Sequence, residues 1–253
     1  MVLVNFIMNK VKEEAELRKE DKLSFCMAPM DQITTFVYRN AFHRFYGGVD
    51  TYYTPFISPT KDADIFQEKE FTEIDRANNK GIRVIPQLMV NDARLTLRGI
   101  SVLREMGYEE VNLNLGCPSG VVARKGKGSA MLKDTDKLDQ FFDSLFTLIP
   151  SDMKVSIKSR AGFADEGEVY HLLEVYNKYP IKELILHPRT RGQFYKGELS
   201  MKSFDHAYKH SRALLCFNGE INSLSDIHSL KEKYPDLSGI MLGRGLIKNP
   251  GLL

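Results

Sequence analysis

Gln87, Asn114, Lys158, His187 and Asn218 stand at matching places in the chain: each sits at the C-terminal end of a short apolar run. Three carboxamides, an ammonium and an imidazole make a ring of donors that suits a polar, anionic ligand. With no carboxylate among them, they form neither an oxygen cage for a hard metal nor the acid pair of a glycosidase. Cys117 lies just beyond one of these ends, in Asn114-Leu115-Gly116-Cys117-Pro118. A loop thiol there can act as proton donor or nucleophile, depending on local charge, or simply fill a turn. Cys26 and Cys216 lie inside apolar runs, where a thiol is ordinary packing. Two glycine turns, Asn218-Gly219-Glu220-Ile221 and Gly243-Arg244-Gly245, follow the last two runs. Glycines let backbone N–H groups approach an anion and Arg244 adds a charged fork, so phosphate binding is expected there, with plain tight turns as the alternative.

The elements that must position these groups follow from periodicity. Eight apolar runs read as strands: 23–28, 49–54, 82–88, 110–114, 154–159, 183–187, 213–218 and 238–242. Between them lie one-sided helical patterns. Leu138, Phe141, Phe142 and Leu145 follow Asp134, Val169, Leu172, Leu173 and Tyr176 precede Pro180, and Leu224, Ile227 and Leu230 follow Ser223. Strands alternating with helices over 253 residues predict a (β/α)8 barrel, with an open doubly wound sheet as the alternative. Side chains alternate across a strand. If Val155 and Ile157 face the helices, Ser156 and Lys158 face the barrel interior. The same logic points Asn112, Asn114, Gln87, His187 and Asn218 inward. Barrel enzymes place their active sites at these C-terminal ends. Pro86 is out of place in a central strand. His206 and His210 have helical metal-pair spacing but no third ligand nearby, so no metal is expected.

Lys and Arg number 35 against 33 Asp and Glu, a net charge of +2, which excludes bulk attraction to nucleic acid. Local clustering is another matter. Arg124, Lys125, Lys127, Lys158, Arg160, Arg189, Arg191, Lys196, Arg244 and Lys248 all fall at or after strand ends, a basic face that would suit a polyanion such as RNA. The Gly126/Gly128 stretch among them reads as a mobile loop. Three widely spaced cysteines suit a reducing compartment, and the apolar start Val2-Leu3-Val4 is too short to span a bilayer. A cytoplasmic location with no membrane partner is expected, with residues 1–22 as an N-terminal extension and 23–253 as the catalytic barrel.

In order, Ala28-Pro29-Met30, Pro86-Gln87-Leu88, Asn112 to Pro118, Lys125 to Ala130, Ser156 to Arg160, His187-Pro188-Arg189-Thr190, Asn218 to Ile221 and Gly243-Arg244-Gly245 resemble the tRNA-dihydrouridine synthase family. The resemblance implies FMN across the barrel mouth, contacted by Pro29, Met30, Gln87, Lys158, His187, Asn218, Gly219, Gly243 and Arg244. It implies NADPH as reductant and tRNA as substrate. Cys117 would protonate uracil C5, Asn114 would orient the base, and Arg160, Arg189 and Arg191 would contact the RNA. Pro188 and Glu220 depart mildly from the family's usual glycine and aspartate. The family continues into a C-terminal helical domain, which the end at Leu252-Leu253 leads us to expect absent or truncated. Competing readings are an FMN barrel acting on a free pyrimidine or another small ene substrate, a Lys158 Schiff-base aldolase, and an RNA-binding barrel without turnover.

Overall fold

The computed structural model describes residues 23–62 and 65–253; the expected extension at 1–22 lies outside the described residues. All eight expected strands are present and parallel. They are β1 (Ser24–Met27), β2 (Thr51–Tyr53), a third strand in two halves, β3 (Val84–Ile85) and β4 (Gln87–Leu88), then β5 (Glu110–Leu115), β6 (Lys154–Gly162), β7 (Glu183–Thr190), β8 (Leu214–Phe217) and β9 (Gly239–Leu242). The hydrogen-bonded order is β3-β2-β1-β9-β8-β7-β6-β5-β4. Its two ends are halves of one strand, so the sheet closes into a barrel. Pro86 sits at the break. Before it, Val84 and Ile85 pair with β2; after it, Gln87 and Leu88 pair with β5. Proline has no N–H to donate, but its carbonyl accepts from Asn112 N at 2.9 Å. The residue that looked wrong for a central strand marks where that strand changes partners.

Helices follow the strands: α1 (Phe36–Phe45), α2 (Glu68–Ile74), α3 (Ala93–Glu105), the short α4 (Gly120–Arg124), α5 (Thr135–Leu148), α6 (Glu168–Tyr176), α7 (Met201–His210), α8 (Leu224–Lys233) and the short α9 (Arg244–Lys248). Their starts carry the expected caps. Asp134 accepts from Lys137 N before α5, and Ser223 with Asp226 forms a capping box on α8. The predicted apolar faces are the buried ones: Leu138, Phe141, Phe142 and Leu145 on α5, and Val169, Leu172, Leu173 and Tyr176 on α6. They join Val111, Leu113, Val155 and Ile157 of the strands in one core between sheet and helices. Each such side chain contributes about 1.5–3 kcal/mol by leaving water. A second, smaller apolar cluster fills part of the barrel interior: Cys26, Ala28, Tyr53, Ile85, Ile185, Cys216 and Met241.

The rest of the interior is polar. At the N-terminal ends of the strands, Glu183 accepts from Ser238 Oγ at 2.8 Å and Tyr53 OH at 3.3 Å. Glu110 pairs with Lys182 and, at 3.5 Å, with Arg83. Higher up, a chain of amides crosses the barrel. Asn112 Nδ2 donates to Ser156 Oγ at 3.0 Å, Gln87 Nε2 to Asn112 Oδ1 at 2.8 Å, and Asn114 Nδ2 to Gln87 Oε1 at 2.7 Å. These groups are buried, and each bond they make offsets a desolvation cost of about 1–3 kcal/mol.

Candidate active site

A cavity of about 500 Å³ opens at the C-terminal ends of the strands, the size of an ordinary small-molecule site. Pro29 and Met30 form one wall. Lys158, His187 and Asn218 rise from the strands, and Gly219, Gly243 and Arg244 close another side. Asn114, Cys117, Arg160 and Arg189 complete the group, so twelve of the fourteen residues singled out in the sequence line one cavity.

Gln87 and Arg191 do not. Gln87 is fully buried beneath the floor, and its amide is committed to Asn112 and Asn114. That commitment has a use. Asn114 Oδ1 accepts from Gly116 N at 3.1 Å and Cys117 N at 2.9 Å, so the amide chain from Ser156 ends by fixing the cysteine turn. From the other side, Cys117 O accepts from Ser129 Oγ at 2.8 Å. The glycine-rich stretch that looked mobile is ordered as α4 and a 3-10 turn over Gly128–Lys133, with Asn91 Nδ2 donating to Lys125 O at 2.9 Å.

The arginines also differ from the sequence reading, which ended both strands too early. β6 and β7 run on, paired, to Gly162 and Thr190. Arg160 continues the inward register of Lys158, while Arg189 reaches the same cavity past an irregularity in the β6–β7 pairing, and both are almost wholly buried. Arg160 donates from Nε to Gly116 O at 2.7 Å and from Nη1 to Thr190 O at 3.0 Å and Phe194 O at 2.8 Å. Arg189 donates to Gly197 O and pairs with Glu220 at 3.1 Å. Glu220 also holds Arg244 at 2.9 Å. These side chains brace the loops around the mouth. Arg191 lies outside the cavity, with Nε donating to Pro118 O at 3.3 Å. Tyr195 lines the cavity, and nothing in the strand register alone singled it out. Its signal is its place in the loop after β7, beside the arginines.

Crowded, buried cations set the electrostatics. Burial, and then the Arg160 charge, push Lys158 down to about 8. Among the described residues its ammonium has no hydrogen-bonding partner. His187 is pushed down to about 2 by burial, then by Lys158, Arg160, Arg189 and Arg244, so its imidazole is neutral. Arg189 Nη1 lies 3.5 Å from His187 Nε2. A guanidinium can only donate, so Nε2 accepts and Nδ1 carries the proton. Burial raises the Cys117 thiol, opposed by the Ser119 backbone and by Arg160 and Lys158. The thiol therefore keeps its proton at neutral pH. The site offers fixed donors, a free cation and a protonated thiol to an anionic, hydrogen-bonding ligand.

Among the described residues no helix is long and apolar enough to cross a membrane, and no cluster of three or more His, Cys, Asp or Glu is placed to hold a metal. The barrel resembles an old yellow enzyme from Trypanosoma cruzi (TM-score 0.62, 10% identity, covering 90% of this chain and 86% of that one). It also resembles a histamine dehydrogenase from Rhizobium sp. 4-9 (TM-score 0.66, 10% identity, covering 90% and 45%). At such identity these likenesses bear on fold. In sequence, the chain is 28% identical over 247 residues to a probable tRNA-dihydrouridine synthase of Staphylococcus aureus strain COL, covering 89% of this chain and 69% of the relative. It is 27% identical over 238 residues to probable tRNA-dihydrouridine synthase 2 of Bacillus subtilis strain 168, covering 89% and 70%. Residues 26–253 match the family model described as dihydrouridine synthase (Dus). With the match spanning both the barrel and the cavity at its mouth, the chain belongs to the dihydrouridine synthase family of oxidoreductases.

Proposed function

We propose that this barrel reduces the C5–C6 double bond of uridine in tRNA, with FMN as its cofactor and NADPH as reductant. The observation that carries the reading is the pairing, in one cavity, of a partnerless Lys158 with a protonated Cys117. The fit to a flavin mononucleotide rests on the chemistry of the walls. Lys158, Arg160, Arg189 and Arg244 face only Glu220 and Asp31 there, a surplus of cations that suits a phosphate and an electron-rich ring. Gly219 lies against Phe217, whose ring would be 2.4 Å from an added Cβ, so only glycine brings that backbone to the wall. Lys158, His187, Asn218, Gly219, Gly243 and Arg244 would hold the cofactor, with the Pro29 and Met30 backbone alongside.

When bound, FMN would supply the hydride chemistry that links NADPH oxidation to reduction of the uracil ring at C6. The chain's own residues do the rest. The Lys158 ammonium stabilises negative charge next to it in a poorly solvated site, the largest kind of electrostatic contribution available. His187, neutral and with its proton on Nδ1, donates a hydrogen bond without adding charge. Cys117 Sγ gives its proton to C5 as the base takes up hydride at C6, which saturates the double bond and leaves a thiolate to be reprotonated from water. Asn114 holds the turn that aims the thiol. A paired uridine cannot reach the cavity inside a helix, so the base must leave the stack.

The test is to load the purified chain with FMN and incubate it with NADPH and unmodified tRNA transcripts, measuring dihydrouridine by mass spectrometry. Dihydrouridine should form and depend on FMN. A chain that takes up no flavin, or reduces free uracil but no tRNA, overturns the reading.

A further inference from the structure

Phe194, in the loop after β7, is unusual in both backbone and ring. Its φ is +51°, in the left-handed region that costs a non-glycine residue about 1 kcal/mol or more. Such strain persists only where the surroundings over-determine it, and here they do. Phe194 O accepts from the buried Arg160 at 2.8 Å, and Phe194 N donates to Arg191 O at 3.1 Å. The conformation held in this way keeps a phenyl ring 43% exposed, which burial of apolar surface alone would not select.

Beside the ring runs an alternating row of cations and aromatics. Lys133 Nζ lies 4.5 Å from the Phe163 ring centroid, and the Arg191 guanidinium lies 5.2 Å from Phe163 and 5.7 Å from Phe194. Arg191 is anchored to Pro118 O, the residue next to Cys117. The neighbouring Tyr195 is engaged differently: Arg160 and Arg244 each lie 5.4 Å from its ring, and it lines the cavity. Phe194 stands outside the cavity walls, on the rim.

We propose that Phe194, braced by Arg191, is a stacking platform for the unpaired nucleobase adjoining the one that enters the cavity. This rests on the reading that the substrate is RNA. Pulling one base from the stack exposes a face of its neighbour. An aromatic ring flanked by cations covers such a face whatever the base, as sites for single-stranded nucleic acid do. Lys133, over the Phe163 ring, and Arg191 supply charge for the phosphates around it.

The experiment uses the FMN-loaded chain and RNA octanucleotides with one uridine, flanked on its 5′ or 3′ side by fluorescent 2-aminopurine. Wild type should quench the 2-aminopurine on one side. Phe194→Gly removes the ring and relieves the left-handed strain, so its thermal midpoint should not fall. It should abolish the quenching and raise KM for the octanucleotide about tenfold, with kcat and the kinetics on uridine monophosphate unchanged. Phe194→Tyr should restore both signals. Undiminished quenching by Phe194→Gly overturns the proposal, as does an equal loss on octanucleotide and monophosphate. A wild-type chain that forms dihydrouridine but quenches neither probe sinks the stack alone. One that forms none from any RNA sinks the functional reading beneath it.

Discussion

The two ends of the barrel bury charge in opposite ways. At the N-terminal end, Glu110 Oε2 meets Lys182 and Arg83 and Glu183 accepts from Ser238 and Tyr53, so each carboxylate has partners within the fold, although Glu110 Oε1 has none among the described residues. At the C-terminal end, Lys158, Arg160, Arg189 and Arg244 crowd a single cavity, and among the described residues Glu220 is the only carboxylate that holds any of them. Arg160 and Arg189 are spent on backbone carbonyls, while Lys158 is left over. Burial acts on both ends alike. It raises Glu183 and lowers Lys158 and His187. What differs is whether the protein supplies the partner. The closed end contributes to stability, and the open end keeps an unmet charge for a ligand.

The contrast can be broken most sharply at the thiol. Cys117→Ala should leave flavin binding and NADPH oxidation intact while lowering dihydrouridine formation about 10²- to 10⁴-fold, the usual worth of a placed general acid. Turnover unchanged in single-turnover assays would remove Cys117 from the chemistry. Next, Lys158→Met should weaken FMN binding at least about tenfold, yet raise the thermal midpoint of the flavin-free chain, because it deletes a cation the apo fold does not pair. A lowered apo midpoint would show that Lys158 contributes to stability after all. At the other end, Glu110→Ala should do the reverse. Lys182 and Arg83 stay partly in water, at 32% and 61% exposure, so the midpoint should fall by no more than a few degrees, with flavin affinity unchanged.

The smallest effect is in the pH dependence of apo stability. Lys158 sits near 8 in the fold against about 10.4 unfolded. Between those values the unfolded chain binds more protons, so stability should rise with pH from about 8 to about 10 and the gain should be lost as pH falls through 8. Subtracting the Lys158→Met curve from wild type isolates this slope; a flat difference across that window would mean the ammonium is better solvated than its surroundings suggest.

Much of this was legible in advance. A period of two assigned Ser156 and Lys158 to the interior and Val155 and Ile157 to the helices, and the pairing of β5, β6 and β7 places them so. Glycine turns after the last two strands marked one side of the cavity, and at Gly219 only glycine fits against Phe217. The arginines were read as substrate contacts because their type and place suited RNA. What their type could not reveal was the carbonyls of Gly116, Thr190, Phe194 and Gly197 waiting for them, the last two on a loop whose path no local pattern specifies. Gln87 was expected at the cofactor from its inward register and the family resemblance, and its amide bonds Asn112 and Asn114 beneath the cavity.

The sequence by itself determined the barrel, the inward register, the cysteine turn and the surplus of basic residues near one mouth, since each follows from spacing along the chain. Only the tertiary structure decided which of those polar groups would be spent on one another. Pro86 sending the halves of one strand to different partners, Arg160 holding Phe194 in a left-handed turn and Glu220 holding both Arg189 and Arg244 all join residues on different strands or loops. Hydrogen bonds are short-ranged and directional, so their partners exist only once the chain has closed.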